Sequence, residues 1–233
     1  MRIEPDIAGT QIVLLGAFNP AIFTPAWFAL HGLLSENEAD TFEPEIVHNQ
    51  ISVFQVDWFH LQVTPDRFSI ETTQAPNVRV RDLVMRLFDE LLPHVPVTAI
   101  GINNSVHVKA GNKEEWNRIG TTLAPPSAWG PWCGKLDLDG DSGGMKSLVM
   151  SQPIPADRPE GSAINITVEP STRVGAGQAG VFVLVNHHFV IHKAKSDNGR
   201  SLVELLDQYF EKCEGMSHEI FDHVMSLGQG NQG

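Results

Sequence analysis

The chain has 233 residues, of which 42% are hydrophobic and 19% charged, with twelve Phe and five Trp. This composition excludes a disordered chain and supplies enough bulky side chains for a substantial hydrophobic core. The formal net charge of −12 argues against a nucleic-acid partner, because an acidic chain repels phosphate backbones at long range.

The N-terminal sequence and the number of cysteines indicate the cellular compartment of the protein. Two cysteines, Cys133 and Cys213, are too few for a disulfide framework. The first residues are acidic and broken by proline, so they do not match a secretory signal. No apolar run reaches the ~20 residues that span a bilayer. We therefore expect a cytoplasmic protein without a membrane partner.

The first half of the chain, residues 1–95, reads as a strand, a helix, up to three strands and a second helix. Thr24 followed by Pro25 is typical of a helix start, with Thr as the N-cap. Apolar residues on one stripe, with charges opposite, predict a helix over 78–92. The strands are predicted at 11–17 and between 48 and 71, with a turn at 64–67.

The second half, residues 96–227, repeats this order of elements. Asn112 and Glu115 form a capping-box pattern before a short helix. Ser201 and Glu204 predict a similar start for the final helix, which Gly215 should break or kink. The strands are predicted at 97–109, 145–151, 163–169 and 181–191. We expect 228–233 to form a disordered tail.

This order predicts an α+β fold. Two similar β-α-β-β-β-α halves, 1–95 and 96–227, would form one body with a largely antiparallel, curved sheet and helices packed on one face. The repetition lies in the order of elements, and it indicates an internal duplication.

Residues 58–107 contain two short motifs, a Thr64-Pro65-Asp66-Arg67 turn and a Gly101-Ile102-Asn103-Asn104 strand. In these the chain resembles an uncharacterised, sporadically distributed prokaryotic protein family of about this length. Asn103 and Asn104 stand where that family usually has Arg and Tyr. The resemblance implies a duplicated strand-helix-strands-helix core and transfers no catalytic residue.

Several motifs that suggest a cofactor or metal lack the context that such sites need. The G-x-G-x-x-G sequence at 175–180 precedes a β-rich segment, whereas a dinucleotide site needs a helix there. His188 and His192 would lie about 13 Å apart on a strand. We therefore expect no cofactor and no metal centre. The weak exception is a calcium candidate made of alternating acids, Asp137, Asp139 and Asp141.

The candidate binding residues are aromatic, cationic and imidazole side chains. Trp129 and Trp132 lie in a stretch rich in proline and glycine, 124–144, where aromatics can act as binding anchors. Arg67, His107 and His188 are the other candidates.

Since no catalytic motif is present, we expect a non-catalytic binding or assembly protein that associates with a protein partner or with itself. The alternative is an enzyme with a small-molecule site between the halves, formed by His60, Asp66, Arg67, His107 and His188.

Overall fold

The computed structural model describes residues 2–35, 37–38, 43–136, 144–153, 156–174, 179–191 and 198–229. Within these residues, one antiparallel sheet contains nine strands: β1 (Ile7–Gly16), β2 (Glu43–His48), β3 (Ile51–Val56), β4 (Phe59–Val63), β5 (Arg67–Thr72), β6 (Val97–Lys109), β7 (Leu148–Pro153), β8 (Ala163–Pro170) and β9 (Gly180–Val190). The α+β class and the antiparallel sheet are therefore confirmed.

The strand order across the sheet is β2-β3-β4-β5-β1-β6-β9-β8-β7. The long strands β1 and β6 form the central pair, with Ile12 opposite Ile102. β1 also pairs with β5, and β6 also pairs with β9. The outer strands of the described sheet are β2 and β7.

Four α-helices accompany the sheet in the described part of the chain: α1 (Pro25–Leu30), α2 (Val78–Arg86), α3 (Lys113–Leu123) and α4 (Asn198–Ser226). The predicted start of α1 is confirmed, because the Thr24 side chain accepts a hydrogen bond from the Trp27 amide at 3.2 Å. α2 continues into a π turn at Leu87–Leu91, so the predicted helix over 78–92 is confirmed as well. Among the described helices, none is long and apolar enough to cross a bilayer.

The helices lie on one face of the sheet, here called the helix face. Side chains alternate along a strand, so each strand sends every second residue to this face. Two buried cores form there. The larger includes Ile12, Ile70, Ile100, Phe189, Val84 and Phe210. The smaller includes Val106, Val183, Ile119 and Phe221. The opposite, open face carries the alternate residues, and no described helix packs on it.

The predicted interruption of the last helix is wrong. α4 runs through Gly215 without a break, and Ser201 lies inside it, so the predicted capping box at Ser201 is wrong too. Glycine costs a helix about 1 kcal/mol. The buried stripe continues on both sides of Gly215, through Phe210 and Phe221, and each such side chain contributes about 1.5–3 kcal/mol. Packing therefore outweighs the local preference.

Several strand boundaries differ from the predictions. β1 begins at Ile7 and β7 spans Leu148–Pro153, where the sequence predicts strands at 11–17 and 145–151. The segment from Glu43 to Thr72 holds four strands, where up to three are predicted, because β2 begins at Glu43 and precedes the hairpin to β3. Residues 228 and 229, which we expected in a disordered tail, continue a 3-10 turn after α4. Gly228 is buried there, and its carbonyl accepts a hydrogen bond from Arg118 Nη1 at 2.7 Å. Residues 230–233 lie outside the described residues.

Candidate ligand-binding site

The segment Pro126–Lys135, here called the Trp loop, presents two tryptophans to solvent. It consists of two 3-10 turns separated by Gly130, whose φ of 59° is readily adopted only by glycine. The rings of Trp129 and Trp132 pack edge to face with centroids 6.0 Å apart. They remain 60% and 52% exposed, which is unusual for a paired set of large aromatic side chains.

Helix α3 forms the wall beside the Trp loop, and its capping box fixes where it begins. The Asn112 side chain accepts a hydrogen bond from the Glu115 amide at 2.8 Å, and the Glu115 carboxylate accepts one from the Gly111 amide at 3.0 Å. The predicted cap at Asn112 is thus confirmed, while the Glu115 carboxylate bonds the amide of the residue before the cap. One residue later, Trp116 Nε1 donates to the Gly180 carbonyl at 3.0 Å, which ties the helix to the start of β9.

A cavity of about 480 Å³ lies between the Trp loop, α3 and the helix face of the sheet. Its lining is mostly apolar and aromatic. Leu148, Val168 and Val181 line it from the sheet, while Trp116, Ile119 and Gly120 line it from α3. Small-molecule sites are typically apolar clefts of about 300–1,000 Å³ with a few polar groups. The size and lining of this cavity match that description.

The polar groups of the cavity include Lys146, Ser147 and Glu169. Ser147 Oγ donates a hydrogen bond to Glu169 Oε1 at 2.8 Å, which orients that carboxylate. A ligand here would meet apolar surface along most of its length.

A second cavity of about 330 Å³ continues along the sheet toward α4. It shares Leu148 and Val168 with the first, and Met150, Ile166 and Ile220 are among its other apolar lining residues. We call this second space the β7 groove. The two cavities adjoin at Leu148 and Val168, and the β7 groove is also lined by Glu219 and His223.

Of the predicted binding residues, the structure brings together only Trp129 and Trp132. Arg67 and His188 lie on the open face, three strand spacings apart across β5, β1, β6 and β9, which corresponds to roughly 15 Å. His107 lies at the opposite end of that face, about 20 Å along the strands from the level of His188. Its ring stacks on Phe182 at 4.7 Å.

The residues of the enzyme alternative also lie apart. His60 Nδ1 is 3.7 Å from Glu71 Oε1 near the middle of the open face. The Asp66 carboxylate accepts a hydrogen bond from the Thr64 hydroxyl at 2.7 Å, within the turn between β4 and β5. The five polar residues do not meet in one pocket.

The calcium candidate Asp137, Asp139 and Asp141 lies outside the described residues, as do His192 and the first four residues of the glycine motif. The motif's last residue, Gly180, begins β9, so a strand follows it as predicted. In the part of the chain that the structure describes, no group of three His, Cys, Asp or Glu side chains is placed to hold a metal ion.

A row of hydrogen-bonded polar side chains crosses the open face, perpendicular to the strands. It connects six adjacent strands through Glu71, Gln11, Asn103, Asn186 and Asn165, with His60 at one end. Four side-chain amides donate in sequence: Asn165 to Asn186 at 3.0 Å, Asn186 to Asn103 at 2.6 Å, Asn103 to Gln11 at 3.2 Å and Gln11 to Glu71 at 3.1 Å. We call this the amide row.

A second polar group is buried on the helix face. Ser217 Oγ donates to the Cys213 carbonyl at 2.7 Å and accepts from Asn104 Nδ2 at 3.2 Å. Its one hydrogen is thereby used, so the contact with His187 Nε2 at 2.9 Å requires the imidazole to donate. His187 Nδ1 then remains a buried acceptor with no hydrogen-bond partner in the described structure.

Burial sets the protonation of this group. It lowers the pKa of His187 to about 4, with a smaller contribution from the positive charge of Arg158, and it raises the pKa of Cys213 to about 11. The imidazole is therefore neutral and the thiol protonated near neutral pH. Ser217 and His187 are fully buried, so this Ser–His pair has no path to a substrate and serves the core.

Comparison with known proteins found no matching family model and no matching curated protein. The resemblance to the prokaryotic family rests on its two short motifs. The structure places the first in the turn between β4 and β5, and the second in β6, where Asn103 belongs to the amide row.

Most of the cavity lining is not predicted from the sequence. Trp116 and Ile119 lie in the predicted short helix, and Leu148 and Val168 lie in predicted strands, without any sign that they share a cavity. One signal was available, since Leu148–Met150 form an apolar run that follows a polar, glycine-rich stretch. The pairing of β7 with β8 decides which of these residues reach the cavity, and a single sequence does not reveal that pairing.

Proposed function

We propose that this is a non-catalytic binding protein, and that its ligand is a small, largely apolar molecule held between the Trp loop and α3. The observation that carries the proposal is the cavity of about 480 Å³, lined by apolar side chains and covered by Trp129 and Trp132. Exposed tryptophans beside an apolar cleft provide rigid contact area at low entropic cost.

The distribution of ionisable groups favours binding over catalysis. General acid–base chemistry needs at least one titratable group within hydrogen-bond reach of the reacting atom. The histidines of the enzyme alternative, His60, His107 and His188, lie on the open face, and His187 is enclosed in the core. Glu219 and His223 line the β7 groove but not the cavity itself. Lys146 and Glu169 are the charged residues among those that line the cavity.

We also infer that the chain is a duplicated unit. In each half the first strand pairs with the last: β1 with β5, and β6 with β9. The two first strands then pair with each other, so the order β3-β4-β5-β1 on one side mirrors β7-β8-β9-β6 on the other. β2, the outer strand of the first half, has no counterpart in the second half. On this reading the cavity lies within the second half, under an insertion between α3 and β7.

The test fills the cavity from a position that tolerates a side chain. A Cβ at Gly120 would lie 3.8 Å from Met145 Cβ, which is ordinary contact, and replacing glycine within a helix improves helix propensity. Gly120→Leu should therefore fold normally and occupy part of the ligand space. Gly215→Leu is the matched control, because Gly215 lies in α4, is exposed, and has no atom within 4 Å of an added Cβ.

The probe is 1-anilinonaphthalene-8-sulfonate. Its binding under native conditions is measured by energy transfer from tryptophan to the dye. We expect wild type and Gly215→Leu to bind it equally, and Gly120→Leu to bind at least tenfold more weakly, a loss of about 1.4 kcal/mol. Equal affinity of Gly120→Leu and wild type would refute the proposed site, and so would an absence of binding to the wild type.

A further inference from the structure

The two outer strands of the sheet differ in how they are protected. The outer side of β7 pairs with no strand in the described residues, and five of its six residues are exposed. Val149 and Met150 are 59% and 61% exposed. The strand sequence LVMSQP contains no charged residue, and its one proline stands at the end.

β2, on the other side, has the features that keep an outer strand from pairing. Its sequence EPEIVH contains two glutamates and an internal proline, and its register with β3 shifts between Pro44 and Ile46. Charges, proline and bulges are the usual means by which proteins block sheet edges. β7 lacks a charge and a register shift, so its backbone groups are ready to accept another strand.

We propose that a second copy of this chain covers β7, by antiparallel pairing of the two β7 strands about a two-fold axis perpendicular to the sheet. The charge distribution favours β7 as the place where two copies meet. Two chains of net charge −12 repel each other, so a contact between copies needs an uncharged strip, and β7 is such a strip.

The symmetry fixes which registers are available. A two-fold axis perpendicular to the sheet keeps the helix faces of both copies on the same side. Residues directly opposite each other in an antiparallel pair share a face. The axis must therefore lie level with one residue, so that this residue stands opposite its own copy. Centring it on Met150 pairs Leu148 with Gln152 of the second copy and Val149 with Ser151, all within the strand.

This register also suits the side chains. The two Met150 side chains meet each other on the helix face, with Cβ atoms about 4.5–5.5 Å apart. Met150 lines the β7 groove, so the grooves of the two copies meet across the axis. No pair in the register places like charges opposite each other, and the exposed apolar area of β7 is reduced in both copies at once.

The first experiment measures molecular mass by sedimentation equilibrium on the full chain. We expect twice the chain mass of 25.6 kDa for the wild type and the single chain mass for Met150→Lys, because two lysines would face each other at the axis. Ile46→Lys is the matched control. Ile46 is 50% exposed on the other outer strand, and that variant should remain dimeric. Circular dichroism checks that both variants fold.

The second experiment is independent of lysine's effect on folding. In a Cys133→Ser background, Met150→Cys should be linked to its copy by a short bismaleimide, and Ile46→Cys should not. A monomeric wild type, a dimeric Met150→Lys variant, or linkage at position 46 in place of 150 would each overturn the proposal. Gly120→Leu should remain dimeric, so failure of the ligand proposal and failure of this one give different results.

Discussion

The buried imidazole of His187 makes the stability of this protein depend on pH. Its pKa is about 4 in the folded state, against an ordinary value of 6.5. Between these two values the unfolded chain binds a proton that the folded chain does not, so stability falls as the pH is lowered from 6.5 to about 4. At 1.36 kcal/mol per pH unit, the loss is about 3 kcal/mol, and below pH 4 this contribution stays constant.

His187→Gln removes the titrating group and keeps a side chain that can donate to Ser217. Between pH 6.5 and pH 4, the free energy of unfolding of this variant should fall by about 3 kcal/mol less than that of the wild type. The control is His188→Gln, one residue along β9, where the side chain is half-buried on the open face. It should retain the acid sensitivity of the wild type.

The assay is urea unfolding at intervals between pH 7 and pH 4, followed by tryptophan fluorescence. Carboxylates also contribute to acid destabilisation, so the informative quantity is the difference between wild type and variant at each pH. Parallel curves for wild type and His187→Gln would refute the view that His187 stays neutral because it is buried beside Arg158.

Three further predictions concern unfolding free energies at neutral pH. Ser217→Ala should cost about 1–3 kcal/mol, because it leaves buried hydrogen-bonding groups unpaired. Ser226 is an exposed serine with a similar bond in the same helix, so Ser226→Ala should cost less than about 0.5 kcal/mol. Asn186→Ala interrupts the amide row and should cost about 1 kcal/mol. Leu61→Ala should cost about 2–5 kcal/mol because Leu61 is fully buried, whereas Leu30→Ala, at a residue 79% exposed, should stay within about 0.5. Urea denaturation of each pair measures all three.

Local patterns predicted those parts of the fold that local forces determine. The strand predicted over 97–109 has those bounds in the structure, because Pro96 precedes it and the helix cap at Asn112 follows it. The starts of α1 and α3 followed from the side chains that cap them. The prediction at Gly215 failed because the packing of α4 against both cores lies far from that residue in sequence.

The candidate site was predictable only in part, for the same reason. Trp129 and Trp132 stand out by composition alone. The cavity beneath them depends on β7 pairing with β8 and on Trp116 reaching the Gly180 carbonyl, which are contacts between distant parts of the chain. The dispersal of Arg67, His107 and His188 likewise follows from strand order, which one sequence does not specify.

The amide row has a consequence for how the sheet assembles. Sliding any of its strands by two residues would keep the apolar side chains on the helix face and so would cost the hydrophobic cores comparatively little. Each such slip would, however, break at least one hydrogen bond of the row, and a slip of β6 would separate Asn103 from both Gln11 and Asn186. The row thus favours the native register of strands from both halves of the chain. It destabilises sheets with shifted registers that the burial of apolar side chains alone would allow.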